Sequence, residues 1–289
     1  MRITRLAAVA AIASLAMGMT ACGGDSNSDS GGDSGATKGI IDKAATEKKL
    51  VVGVKADQPG LGLQTGAEYE GFDIEIAKII GKGLGLEPTA LEWKTTVSAN
   101  REPFIEQGQV DLVVATYTIT DQRKQKVNFG GPYYMAGQDL LVAADNTTIT
   151  GPDTLAGKRV CSVAGSTPAQ RIKDEYKDAK LTELDAYSKC IALLANKKID
   201  AVTTDDIILA GYAAQPQNAG KFKIVGKPFS EEPYGIGLAK ADKAGCEKVN
   251  EILKAAAADG SYAKAWDDTL GKSGKPAPQL DTTKLTNCA

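Results

Sequence analysis

Apolar and polar positions between residues 49 and 265 switch repeatedly between two periods, short apolar runs of strand length and longer stretches with helical spacing. Residues 49–54 (KLVVGV) predict a strand that ends at Lys55. Over 71–84, Phe72, Ile76, Ile79 and Ile80 recur at i, i+4, i+7 and i+8, which predicts an amphipathic helix. Asp73 and Glu75 fall in its first turn, where the helix dipole favours anions, and are assigned that role alone. The stretch 100–134 predicts a helix over 103–107 stopped by Gly108, and a buried strand over 110–115. A polar turn, Thr116-Tyr117-Thr118, is expected next, and Arg123 stands at the mouth of a second short helix.

Strands are expected again at 138–144 and 159–163. The latter opens onto Ala164-Gly165-Ser166-Thr167-Pro168-Ala169-Gln170, with Thr167 as cap, Pro168 in the first helical position and Gln170 closing a capping box. A helix over 190–198 leads to a buried strand over 200–204 ending at Asp205. Asp205 and Asp206 begin the helix 207–213, and a last long helix covers 246–258. The cassette of helix, Ile199-Asp200 and apolar strand echoes helix, Val110-Asp111 and apolar strand, as two similarly built lobes would.

Alternating strands and helices indicate an α/β sheet, and in such sheets ligands collect beyond the carboxyl ends of the strands. Those ends present Lys55, then Thr116, Thr118 and Arg123, then Ser166 and Thr167, then Asp205. Singly, each has a plainer reading: Arg123 is a surface charge beside Lys124 and Lys126, and Asp205 or Asp206 caps a helix. Together they are an inventory for a zwitterion. Arg123 and the helix amides at Ser166 and Thr167 suit an α-carboxylate, and Asp205 suits an α-ammonium. Lys55 is left for a further anionic group.

The N-terminus is not part of this pattern. Arg2 and Arg5, an apolar stretch over 6–19 and Thr20-Ala21-Cys22 read as an export signal at 1–21, too short to span a membrane. A Gly/Ser/Asp tract follows, expected to be a flexible tether over 22–44. The order of signal, small residue, cysteine and tether resembles a bacterial lipoprotein, which implies acylation of Cys22 and attachment to the membrane. Of five cysteines, that leaves Cys161, Cys190, Cys246 and Cys288, which allow three pairings in an oxidising compartment. A buried free thiol at Cys161, in its apolar strand, is the alternative.

Without Arg2 and Arg5, 32 basic face 36 acidic residues, a net charge of −4, and no basic block suggests nucleic acid. The chain has no histidine, the commonest general base and metal ligand, which counts against most hydrolase mechanisms; no metal, no cofactor and no enzymatic activity are expected. About 250 residues after signal and tether suit one large domain or two modest ones.

The same residues resemble the family 3 solute-binding proteins of amino-acid ABC importers. The resemblance rests on Gly71-Phe72-Asp73-Ile74-Glu75-Ile76, on Thr118-Ile119-Thr120-Asp121-Gln122-Arg123 and on Pro132-Tyr133-Tyr134, and it covers nearly all of 45–270. Residues 53–62, 100–104 and 137–141 resemble the glutamate-binding lipoproteins of Gram-positive bacteria. The resemblance implies a two-lobe, periplasmic-binding-protein-like α/β fold of type II. Lobe 1 is then 45–132 plus 235–289, lobe 2 is 138–229, and hinges lie at 133–137 and 230–234. Disulfides Cys161–Cys190 and Cys246–Cys288 would each stay within one lobe.

By the same resemblance Arg123, Thr118 and Thr167 hold the α-carboxylate, Thr116 and Asp205 the α-ammonium, and Lys55 and Arg101 a side-chain carboxylate. Ser166 and Tyr187 are further candidates for that pocket. The chain departs from many members at Ser98, where an aromatic is usual, and at Val163, where a basic residue is usual. Lys55, Arg101 and Arg123 against Asp205 leave a surplus of two positive charges, which favours glutamate or aspartate. A neutral amino acid would leave a buried cation unpaired at about 3–5 kcal/mol, a hundredfold or more in affinity. The expected partners are that ligand and the ABC permease, met as a monomer at the outer face of the cytoplasmic membrane. The alternatives are a binder of glutamine or another polar amino acid, and a cyclohexadienyl-dehydratase-like enzyme using Glu102 or Asp57. A sensor ectodomain is a third, weaker reading.

Overall fold

Each of two sheets is built on one plan. A computed structural model describes residues 38–273 and 277–288. The expected signal, Cys22 and the tether as far as residue 37 lie outside the described residues. The chain begins with α1 (Ile40–Thr46) and β1 (Leu50–Val54), then a small antiparallel sheet of β2 (Asp57–Gln58), β3 (Gly62–Thr65) and β4 (Glu68–Glu70). It continues through α2 (Phe72–Gly83), β5 (Leu91–Thr95), α3 (Arg101–Glu106), β6 (Leu112–Thr118), α4 (Asp121–Lys124) and β7 (Val127–Ala136). The second lobe holds β8 (Gln138–Ala143), β9 (Arg159–Val163), α5 (Thr167–Glu175), β10 (Lys180–Leu184) and α6 (Tyr187–Ala195). It is completed by β11 (Ala201–Asp205), α7 (Asp206–Ala213) and β12 (Phe222–Ile224). The chain then returns with β13 (Glu232–Ala239), α8 (Lys243–Asp259) and α9 (Ser261–Asp268).

The first sheet runs β5-β1-β6-β13-β7 and the second β10-β9-β11-β8-β12. In each, four strands run in one direction and one, β13 in the first sheet and β8 in the second, runs antiparallel between two of them. The chain crosses between sheets twice, from β7 to β8 and from β12 to β13. Parallel strands put all their carboxyl ends on one edge, so Val54 and Thr118 of one sheet and Val163 and Asp205 of the other end toward a common crevice. The fold is thus the two-lobed type II α/β architecture.

The first core is organised by Phe72, fully buried at the start of α2. Its ring meets Tyr133 and Tyr134 of β7 at 6.1 and 6.5 Å, and Tyr262 and Trp266 of α9 both at 5.5 Å. Gly71 before it has φ +118°, and a Cβ there would lie 2.4 Å from Leu61 O, so only glycine fits. Disulfides join Cys161 of β9 to Cys190 of α6, and Cys246 of α8 to Cys288. Among the described residues no helix is long and apolar enough to cross a membrane.

Four expectations are corrected. The tether ends before residue 40, because Ile40 and Ala44 bury a helix face, Ile40 N donates to Asp242 at 2.8 Å and Lys43 pairs with Asp111. The polar turn at 116–118 is the end of β6: Tyr117 packs on Phe129 at 4.7 Å, and the segment pairs with β13. Ser166, not Thr167, caps α5, its Oγ accepting from Ala169 N at 3.1 Å, and Thr167 is the first helical residue. Helix α6 begins at Tyr187, a turn before 190.

Truncating Phe72 to alanine removes the ring shared by β7 and α9. We expect Phe72→Ala to lower unfolding stability by about 3–5 kcal/mol, read as a lower urea midpoint at unchanged slope. A loss below about 1 kcal/mol would show that the cluster is not what joins these elements.

Candidate functional site

The site is assembled from the ends of β1, β6, β9 and β11 and the loops that follow them. Lys55 is 4% exposed and its Nζ donates to Ser98 Oγ at 2.8 Å. Arg101, 2% exposed in the first turn of α3, donates from Nε to Ser98 O at 3.2 Å. Its Nη1 reaches Ala115 O at 3.2 Å and Thr116 O at 3.1 Å, and its Nη2 reaches Gly165 O of the other lobe at 3.3 Å. The guanidinium lies over the Tyr117 ring at 4.3 Å. Every one of these oxygens is neutral, and neither Lys55 nor Arg101 forms an ion pair among the described residues.

Two successive carbonyls of β6 converge on one nitrogen where the strand is bent at Thr116, which has φ +44°. That left-handed conformation strains a β-branched residue. Asp73 holds it: Thr116 N donates to Oδ2 at 2.9 Å, and Tyr133 OH donates to Oδ1 at 2.7 Å. Asp73 is therefore more than a helix-start charge, the role expected from its position in α2. Thr116 Oγ1 lies 3.1 Å from Gln58 Oε1.

Arg123 comes from α4, whose cap is Thr120. Its Nη1 donates to Thr118 O at 2.7 Å, its Nη2 to Gly165 O at 3.0 Å, and its Nε pairs with Glu102 at 3.2 Å. Glu102 thus neutralises one edge of Arg123 and lowers the surplus of positive charge, already counted against Asp205, from two to one; Asp73, which attracts Lys55 and Arg101, offsets it further. Asp205 ends β11. Tyr234 OH donates to its Oδ2 at 2.5 Å, while Oδ1 is buried with no hydrogen-bond partner. Thr167 Oγ1 contacts Thr118 Oγ1 at 3.2 Å and donates to Glu232 at 2.6 Å, linking α5 to the lobe-crossing strand.

A small pocket, with a cavity volume of about 10 Å³, is lined by Arg101, Thr116, Thr118, Ser166, Thr167, Tyr187 and Asp205, with Ser98, Pro168 and Ile208. Lys55 joins it through Ser98, and Arg123 adjoins it through Thr118 and Gly165. All nine residues singled out from the sequence are in this neighbourhood. Sequence reasoning missed Ser98, Asp73, Tyr234 and Glu232 as contributors. Ser98 alone carried a signal, the absence of the usual aromatic: a ring there would take the place of the hydroxyl that receives Lys55. Asp57, the other acid considered for catalysis, accepts from Ser188 N and Tyr212 OH. Among the described residues no cluster of side chains could hold a metal ion.

Burial dominates the electrostatics. It pushes Lys55 well below the ordinary lysine range, with Arg101 repelling it further. It lowers Arg123 to about 10, again with Arg101 next in importance. It raises Asp205 to about 8, helped by Glu232 and opposed by the Tyr234 hydrogen bond. It raises Asp73 to about 6 against two donors. A guest with anionic groups beside the cations and a cation beside Asp205 would reverse the first three shifts.

Comparison with known proteins follows the same lines. The family model of bacterial extracellular solute-binding proteins, family 3, matches residues 50–271. Glutamate-binding protein GluB of Corynebacterium efficiens is 41% identical over 282 residues, 93% of this chain and 92% of that protein. The ABC transporter glutamine-binding protein GlnH of Bacillus subtilis is 38% identical over 216 residues, 74% of this chain and 78% of that one. The solved structure of an ancestral arginine-binding protein bound to glutamine has a TM-score of 0.72 and 37% identity, covering 77% of this chain and 98% of that chain.

With the lobes together as described, burial of Asp205 makes the stability of the unliganded protein depend on pH. Its carboxyl titrates near 8 when folded and at about 3.9 when unfolded. Between those values only the unfolded chain releases the proton, so stability falls as pH rises from about 4 to about 8. Urea unfolding at pH 5 and pH 8 should show Asp205→Asn gaining on the wild type at the higher pH. Equal differences at both pH values would mean that Asp205 ionises normally.

Proposed function

The chain belongs to the family 3 bacterial extracellular solute-binding proteins, and from that premise we propose that it is the receptor lipoprotein of an ABC importer for glutamate, with aspartate the next candidate. One observation carries the choice of ligand. Lys55 and Arg101 are buried with only neutral oxygens for partners, and a side-chain carboxylate is the group that would complete them. The names of its relatives point to glutamate in one case and to glutamine in another. Glutamine would bring an amide to two cations and leave their charge uncompensated.

In this reading Arg123, Thr118 and Thr167 hold the α-carboxylate, and Thr116 and Asp205 the α-ammonium, for which Asp205 Oδ1 is a waiting acceptor. Ser166 and Tyr187 complete the wall. The lobes close over the ligand about hinges at 133–137 and 230–234, with lobe 1 as 45–132 plus 235–289 and lobe 2 as 138–229. Cys22 carries the lipid that keeps a monomer at the outer face of the membrane beside its permease. The role is binding without turnover, and the pairing of Glu102 with Arg123 supports it, since the carboxylate that catalysis would need is already engaged.

A ligand panel on three variants tests the division of roles. Arg123→Ala is expected to abolish binding of every amino acid. Lys55→Ala and Arg101→Ala should chiefly erase the preference for acidic ones, each by a factor of about 100. Identical losses for all three variants across the panel would refute it.

A further inference from the structure

Asp57 has no place in the ligand pocket, yet it reaches across the cleft. It lies in β2, which belongs to the first lobe by its position between β1 and α2. Its Oδ2 accepts from Ser188 N at 3.1 Å and from Tyr212 OH at 3.0 Å, both in the second lobe. Tyr212 OH also donates to the Asp57 carbonyl. Ser188 is in the first turn of α6, a helix of nine residues whose own N-cap position, Ala186, supplies no side-chain cap. A helix start without a local acceptor leaves amides to be satisfied from elsewhere. Here the acceptor is a carboxylate from the opposite lobe, favoured by the helix dipole. The residue beside Ser188 is Tyr187, which lines the pocket.

Backbone approach at the same seam is equally close. A Cβ on Gly211 of α7 would lie 2.3 Å from Pro59 O. Gly211 has no unusual backbone angle that calls for glycine, so its missing side chain serves this contact between lobes.

We propose that Asp57 is a positioning residue that caps α6 across the cleft, and that this cap, with the bare surface of Gly211, holds the lobes shut and sets Tyr187 against the ligand. The inference rests on the binding reading above and concerns how long the ligand is kept rather than which ligand is chosen. Because the cap forms on closure, it slows release without affecting encounter. Because it does not touch the ligand, it acts equally on every amino acid bound.

The test uses the full chain, with L-glutamate as probe, and measures association and dissociation rates by rapid mixing and the melting temperature without ligand. Asp57→Ala should speed dissociation about tenfold, the worth of one charged cap, with association and ligand-free melting unchanged. Asp57→Asn, which caps as well as aspartate, should recover most of the loss. Gly211→Ala adds a good helix former. It should keep or raise the ligand-free melting temperature while weakening binding and leaving the liganded protein as expanded as the free one in solution scattering. Unchanged dissociation in Asp57→Ala, or a loss matched by lower ligand-free melting, would overturn the proposal, as would normal compaction in Gly211→Ala. If another amino acid and not glutamate compacts the wild type, the ligand assignment fails. The same rates are then read with that amino acid, and they decide the cap by the same outcomes.

Discussion

Two cations held in a closed site against neutral oxygens are the constraint on which the rest of this structure depends. Lys55 rests on a hydroxyl, and Arg101 spreads over four backbone carbonyls and an aromatic face. Hydrogen bonds of this kind orient a cation but leave its charge uncompensated, and burial then drives the pKa of Lys55 down. Much of the surrounding architecture sets up these oxygens. Thr116 is bent into a strained conformation that turns two carbonyls to one guanidinium, and Asp73, backed by Tyr133, holds the bend. Strain kept by a buried hydrogen-bond network is what a site prepared for a charged guest requires.

Two sheets of one plan bring the pieces together, because parallel strands deliver their polar ends to a single edge. The carbonyl of Gly165 receives both Arg101 and Arg123 from the opposite lobe. A Cβ on that glycine would lie 2.6 Å from Ala99 Cα, so the lobes meet there backbone to backbone. Contacts within lobes fix the site residues, and contacts between lobes decide whether the site is enclosed. The disulfides Cys161–Cys190 and Cys246–Cys288 each join elements of one sheet's lobe and leave the crossings free.

The sequence displayed the strand ends well and the reasons for their shape poorly. Lys55, Arg123, Thr167 and Asp205 were legible because each follows an apolar run that folds as a strand or opens a helix on local signals. Strand β5 and the edge strand β10, with its alternating polar residues, carried too weak a pattern to be read. Helix α6 was expected to begin at 190 because nothing before Tyr187 announces a helix; its cap comes from Asp57, 131 residues away. The role of Asp73 was hidden for the same reason, since Thr116 is 43 residues distant. Ser166 was passed over as a cap because Thr167-Pro168 imitates one, and packing of Pro168 and Ala169 into the lobe settled the register.

The comparison of two isosteric ligands tests the central claim most directly. Glutamate and glutamine differ by one charge at nearly equal volume, and calorimetric titration of the purified protein at pH 7 gives both dissociation constants. If Lys55 and Arg101 lack only a carboxylate, glutamate binds at least about a hundredfold tighter. Equal affinities, or tighter binding of glutamine, would contradict the account.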